Sequence, residues 1–190
     1  ISVTGVQTCA LPIYRLWGIA NGVDQQVFNP ATDPALPTAY DAASVEGRGA
    51  NKAALQAQLG LRADPTAPLA GMVSRVDYQK GTDLLAGVIE RCVTELGMQF
   101  ALLGAGNADL TALLRDAAAR FPGAVSLTEG YNNDLGQRIY GASDLFLMPS
   151  RFEPCGLGQL IAMRYGAIPV VRRTGGLADT VTDEIGRAHV

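Results

Sequence analysis

The stretch "DLFLMPSRFEPCGLGQLIAMRYG", Asp144 to Gly166, holds the pattern that decides the fold. Its first part, "DLFLMP", is a short apolar run of the kind a strand buried on both faces requires. Its last part, "LGQLIAMRYG", has the apolar spacing of a helix. Between them lies a turn stiffened by Pro154 and opened by Gly156 and Gly158. A helix start of this kind offers unpaired N–H groups and a partial positive charge, which suit a phosphate. Glu153 sits beside it, and like charges repel. The carboxylate therefore either accepts hydrogen bonds from the neutral hydroxyls of a ligand that also carries a phosphate, or simply caps the helix.

Outward from this unit the same alternation repeats. Strands are expected at "LAGMVSRV" (69–76), "QFALLG" (99–104), "AVSLTEG" (124–130), "DLFLMP" (144–149) and "IPVV" (168–171). Helices are expected over 81–96, 107–121, 133–142 and 157–166, with another opened by "GGLADTV". Strand–helix alternation predicts an α/β fold, a Rossmann-like parallel sheet with helices on both faces. Before it, "GIANGVDQQVFNPATDPALPTAY" (18–40) reads as ordered turns. "NKAALQAQLGL" (51–61) reads as a short amphipathic helix with Asn51 as its N-cap, and "RADPTAP" (62–68) as a turn.

The 190 residues are 48% hydrophobic and 17% charged, with a net charge of −3, which describes one soluble domain without a general attraction to nucleic acid or membranes. Three cysteines at unrelated spacings give neither a disulfide framework nor a zinc pattern, and a cytoplasmic setting is expected. "VTGVQTCALPI" (3–13) and "IGRAHV" (185–190) resemble translated sequencing-adapter DNA. Residues 1–13 and 185–190 are therefore expected to be non-native, Cys9 and His189 to carry no function, and the chain to be a fragment. The expected division is a connection and leading helix over 14–62 and an incomplete donor-nucleotide domain over 63–184.

Ligands of parallel sheets bind beyond the carboxyl ends of the strands, so the strand-to-helix loops carry the candidates. "SRVDYQKG" (74–81) places Arg75 at a strand end and Lys80 at a helix start, a pair suited to clamping a diphosphate; the plain alternative is two solvated cations. Cys155 lacks a histidine partner and reads as a small packed residue. "LLGAG" places Gly104 after a strand, without the third glycine of a dinucleotide fingerprint. Tyr131 in "EGYNN" could stack on a base or simply pack. In "RRTGG", Thr174 and Gly175 open a helix with close backbone approach. No Asp-x-Asp pair is present, so no metal is expected at the diphosphate.

Together, "GIANGVDQQVFNPATDP", "SRVDYQKG", "LLGAG", "SRFEPCGLGQL" and "VRRTGGLADTV" resemble the C-terminal half of the bacterial glycogen synthases and plant-type starch synthases over roughly 18–183. These are retaining glucosyltransferases of the GT-B architecture. The resemblance implies transfer of glucose from ADP-glucose to the non-reducing end of an α-1,4-glucan. It implies diphosphate contacts for Arg75 and Lys80, adenine stacking for Tyr131, the donor glucose on Glu153, and phosphate on amides near Leu157 and Gly158. Cys155, Gly156, Gly104, Thr174 and Gly175 complete the implied nucleotide-sugar site. No cofactor is implied; the partners are the donor, the glucan acceptor and an N-terminal domain that this chain lacks. Gly158 replaces the family's usual hydroxyl residue, and Ile161 stands where related transferases carry a second Glu. Two other readings are a GT-B transferase using another nucleotide sugar, and a nucleotide-binding module without catalysis.

Overall fold

The computed structural model describes residues 21–182. Both adapter-like segments, Cys9, His189 and the start of the 18–40 turn region lie outside the described residues.

The five apolar runs form one parallel sheet. Its strands are β1 (Leu69–Val73), β2 (Gln99–Gly104), β3 (Val125–Glu129), β4 (Leu145–Met148) and β5 (Ile168–Val171), in the order β3-β2-β1-β4-β5. The chain winds from β1 out to β3, then returns to place β4 on the other side of β1. The strand order thus reverses between β1 and β4, and the carboxyl ends of those two strands flank the crevice.

Among the described residues seven helices accompany the sheet: α1 (Gly47–Gln58), α2 (Thr82–Ala86), α3 (Ile89–Leu96), α4 (Ala108–Arg120), α5 (Asn133–Ala142), α6 (Gly158–Arg164) and α7 (Gly175–Thr180). Alternate strand residues feed two cores. Leu69, Ala101, Leu103 and Phe146 pack with Leu55 of α1, Ile139 of α5 and Ala162 of α6. Ala70, Met72, Phe100 and Leu102 pack with Ile89, Leu110 and Leu114 of α3 and α4. β1 lies so close to α5 that a side chain at Gly71 would overlap Ser143 and Ile139.

Two expectations are corrected. The helix over 81–96 is two helices, broken where Gly87 ends α2 and Val88 precedes α3; Leu85 and Ile89 are buried, while Leu84, Val88 and Leu96 are exposed. The leading helix starts at Gly47, and Asn51 is not its cap. It lies inside α1, where its side-chain amide donates to the Thr38 carbonyl at 2.7 Å and its Oδ1 accepts from the Thr38 N–H at 3.0 Å. The leading segment packs on the sheet, with Leu36, Tyr40, Leu55 and Leu61 in the same core as Leu69 and Phe146.

A polar knot closes the amino end of the sheet. Asp144 Oδ2 accepts from Lys52 Nζ at 2.7 Å and from the Leu69 N–H at 2.8 Å. A second knot holds the turn region: the Tyr165 hydroxyl donates to the buried Asp33 at 2.6 Å, and the Tyr40 hydroxyl donates to the Tyr165 carbonyl at 2.9 Å. Burial pushes the phenols of Tyr40, Tyr140 and Tyr165 above their ordinary value near 10, and the hydrogen bond to Asp33 raises Tyr165 further. A raised folded pKa gives stability that is full below the unfolded value and lost as pH climbs toward the folded one. The contribution of these phenols should therefore be constant up to about pH 10 and fall steeply above it, with the phenols ionising only as the chain unfolds. Denaturant titrations along an alkaline pH series, followed by phenolate absorbance, check this; unfolding midpoints that stay level above pH 10 would contradict it.

Candidate functional site

The crossover at β1 and β4 brings two loops side by side. One, 74–81, follows β1; the other, 149–157, follows β4. They are joined by direct bonds: the Arg151 N–H donates to the Gln79 carbonyl at 2.8 Å, and Gln79 Nε2 donates to the Phe152 carbonyl at 3.1 Å. Outside the crevice, the Arg151 guanidinium grips both carboxylate oxygens of Asp83 at 2.6 and 2.7 Å and the Tyr78 carbonyl at 2.8 Å. Its hydrogen bonds hold the Asp83 carboxyl below its usual range. Gly81 has φ +73°, and a side chain there would run into the Pro149 carbonyl, so only glycine lets the loops approach this closely.

This union sets Lys80 against Glu153. Lys80 Nζ donates to Glu153 Oε2 at 2.5 Å, and the Ser150 hydroxyl donates to the same oxygen at 3.1 Å. The two side chains are only 18% and 9% exposed, so the pair is far less screened than a surface bridge. Asp77 Oδ1 accepts from the Lys80 N–H at 2.7 Å and fixes the start of the turn. Arg75 differs: its side chain is largely exposed and pairs with Asp77 at 3.2 Å.

Two adjoining clefts open here, sharing Val73, Ser74, Arg75 and Tyr140. One, of about 290 Å³, is lined by Arg75, Lys80, Ser150, Glu153 and the Gly156–Leu157–Gly158 turn at the start of α6. It combines two cations, the free N–H groups of a helix start and one carboxylate, which suits a ligand carrying both anionic and hydroxyl groups. The other, of about 480 Å³, is mostly apolar, with Phe28, Leu103, Gly104, Tyr131 and the α5 face Asn133, Gly136, Gln137 and Tyr140 on its walls. Tyr131 stands at its rim, 92% exposed.

The structure therefore gathers Arg75, Lys80, Glu153, Gly156, Leu157, Gly158, Gly104 and Tyr131 around one continuous crevice. It does not bring Cys155, Thr174 or Gly175 to the cleft walls. Cys155 is exposed, not packed. The close approach of the Gly-Gly pair is to protein: the Gly176 N–H donates to the Glu153 carbonyl at 2.9 Å, and side chains at Gly175 and Gly176 would overlap Glu153 and Cys155 backbone. Thr174 lies behind the same loop, its hydroxyl 3.4 Å from the Arg151 carbonyl. These residues brace the Glu153 loop from behind. Gly104 is also forced by packing, since a side chain there would overlap the Ser74 carbonyl.

The sequence profile of the family described as Glycosyl transferases group 1 matches residues 67–190, the whole sheet and both loops. The chain belongs to that family. Within it, this glycosyl transferase chain is 49% identical over 170 residues to a glycogen synthase of Rhodopseudomonas palustris (strain BisA53), covering 90% of the chain and 35% of the relative. It is 51% identical over 168 residues to glycogen synthase 2 of Geobacter sulfurreducens, covering 88% and 34%. Its fold matches the catalytic domain of starch synthase IV from Arabidopsis thaliana, solved bound to ADP and acarbose, with a TM-score of 0.81 and 44% identity over 90% of this chain and 35% of that one. The chain thus spans about a third of the length of the curated relatives it matches.

Sequence reasoning missed several members of this crevice. Ser150 stands three residues before Glu153, and Asp77 three before Lys80, both within reach of a local side-chain bond. Gln137 was legible from the spacing 133, 136, 137, 140, which puts four residues on one helical face. Arg151 and Asp83 left no local signal, because they meet across separate loops. Arg151→Ala should accelerate amide exchange at 78–81 and 150–153 while leaving β1 and β2 protected. Exchange mass spectrometry checks this; unchanged protection in both loops would show that their backbone bonds suffice.

Proposed function

We propose that this chain is the donor-nucleotide half of a retaining glucosyltransferase that moves glucose from ADP-glucose to the non-reducing end of an α-1,4-glucan. The observation that carries it is the Lys80–Glu153 pair at the strand crossover, between a helix start suited to phosphate and a cleft large enough for a base. Relatives at 49–51% identity named glycogen synthase, and the starch synthase neighbour solved with ADP, support the choice of donor.

In this reading Arg75 and Lys80 meet the diphosphate, helped by the Leu157 and Gly158 amides, and no metal is required. Glu153 accepts from the hydroxyls of the transferred glucose, and Tyr131 covers the base. As the glycosidic bond breaks, negative charge grows on the leaving diphosphate, so cations fixed beside it stabilise the transition state more than the ground state. The acceptor, its groove and the other wall of the active site belong to the rest of the protein, in a cytoplasmic setting.

Arg75→Ala should weaken ADP binding roughly ten- to a hundredfold, the loss of a hydrogen bond to a charged group. Arg75→Lys should stay impaired, because an ammonium lacks the guanidinium fork. Lys80→Ala should weaken ADP similarly and also lower the unfolding midpoint, since it leaves Glu153 buried without its cation. Glu153→Ala in the full-length protein should depress turnover more than ADP affinity, because ADP has no glucose to contact. Calorimetric titration with ADP, beside glucan synthesis assays, separates these roles. Unchanged ADP affinity in both alanine variants would leave Arg75 a solvated surface cation and Lys80 a purely structural partner of Glu153.

By itself the 190-residue chain should incorporate no glucose into glycogen, since one wall cannot exclude water or position an acceptor. Label transfer from ADP-glucose by the purified chain would disprove that.

A further inference from the structure

Gln159, in the first turn of α6, is fully buried. Its Nε2 donates to the Cys155 carbonyl at 3.2 Å, the Gly156 carbonyl at 3.0 Å and the Thr180 hydroxyl of α7 at 2.9 Å. Two of these partners are carbonyls, which only accept, so the amide cannot be turned the other way round. Its Oε1 is then left without a partner among the described residues. A buried oxygen in that state is destabilising, so stability alone does not explain the amide.

The two carbonyls that it holds do. In a trans peptide unit the C=O and the following N–H point in opposite directions, and none of the described peptide bonds is cis. The Cys155 carbonyl faces the rear of its loop, toward α7, where a side chain at Gly176 would lie 2.1 Å from it. Gln159 holds that carbonyl and the next one on the same side. The N–H groups of Gly156 and Leu157 belong to the same two peptide units, and they are thereby turned forward. Gly156 is left-handed, with φ +68°, and Leu157 is right-handed, with φ −109° and ψ −27°. That succession brings neighbouring N–H groups to one side as an anion-binding concavity. Both residues line the 290 Å³ cleft with Arg75 and Lys80, and neither N–H has a partner among the described residues. The Gly158 N–H belongs to the next unit, which α6 itself fixes through the 2.9 Å bond from the Ile161 N–H to the Leu157 carbonyl.

We propose that Gln159 is a positioning residue, which turns two successive peptide units so that the Gly156 and Leu157 N–H groups face the cleft as donors to phosphate oxygens, with Thr180 anchoring it to α7. This rests on the reading of the crevice as a nucleoside-diphosphate site and adds what aims its amides. Gln159 does not line the cleft and acts only through the backbone. Without its donors the two units are free to rotate about Gly156, whose glycine backbone resists rotation least.

The test uses this chain, with amide NMR, titrations of pyrophosphate, ADP and adenosine, and thermal unfolding as the check on the fold. In the wild type, pyrophosphate should move the Gly156 and Leu157 amide signals downfield, the signature of an N–H bonded to an anion. Gln159→Met keeps the length and removes the donors. Those shifts should then vanish, and pyrophosphate and ADP should both weaken about tenfold. Adenosine, which has no phosphate, should bind as before. Thr180→Val removes only the anchor and should weaken the two phosphate ligands about two- to threefold, again sparing adenosine; it carries the comparison if Gln159→Met does not fold. Amide signals at 156 and 157 that stay still while pyrophosphate binds, unchanged pyrophosphate affinity in either variant, or an equal loss for adenosine overturns the proposal and leaves the donor reading intact. A wild-type chain that binds neither pyrophosphate nor ADP overturns the donor reading, and the role of Gln159 with it.

Discussion

Asp144 fixes how the two halves of the sheet meet. Its carboxylate takes the first N–H of β1 and the ammonium of Lys52, while its own N–H and carbonyl bond Leu69 and Ile168. One residue thus ties β1, β4, β5 and α1 at the amino end of the sheet. With that end pinned, β1 and β4 pair at Ala70–Leu145 and Gly71–Phe146. Their carboxyl ends then emerge side by side. A one-residue slip would turn every side chain of β4 to the opposite core, so the register is held by both cores as well as by the knot.

What emerges from those strand ends is less two loops than one body. Backbone bonds, the Gly81–Pro149 contact and the Arg151–Asp83 grip hold 74–81 and 149–157 together. The "RRTGG" turn presses on the second loop from behind through the Glu153 carbonyl. Most glycines around the crevice therefore serve protein-to-protein contact. Lys80 and Glu153 project into the crevice from locally fixed backbones, Lys80 held by Asp77 and Glu153 by its braced carbonyl.

Much of this was legible in the sequence. The five apolar runs became the five strands, β1 and β2 buried almost throughout and the edge strand β5 exposed at Ile168 and Val170. Arg75, Lys80 and Glu153 converge because loops after parallel strands share one edge. The misreadings came from tertiary contacts. Asn51 looks like a cap, yet it clamps Thr38, which is adjacent only after folding. Gly175 looks made for a ligand's close approach, and the partner it approaches is backbone from another loop. Leu84 and Val88 continue an apolar stripe that the break at Gly87 turns outward. Local patterns record periodicity well, and they record cross-loop partners poorly.

The buried bond between Lys80 and Glu153 has a thermodynamic corollary. An ammonium has three donors, and Glu153 engages one of them. An anion at the start of α6 meets a cation already tethered, with little chain entropy left to lose. As that anion draws on Lys80, Glu153 loses part of its counter-charge and becomes a stronger acceptor for hydroxyls. The two ends of the cleft are therefore linked, and linkage is reciprocal: each occupant changes the other's affinity by the same factor. A molecule that carries both groups on one frame engages both ends in a single association. Either half alone meets a carboxylate and an ammonium that still answer chiefly to each other.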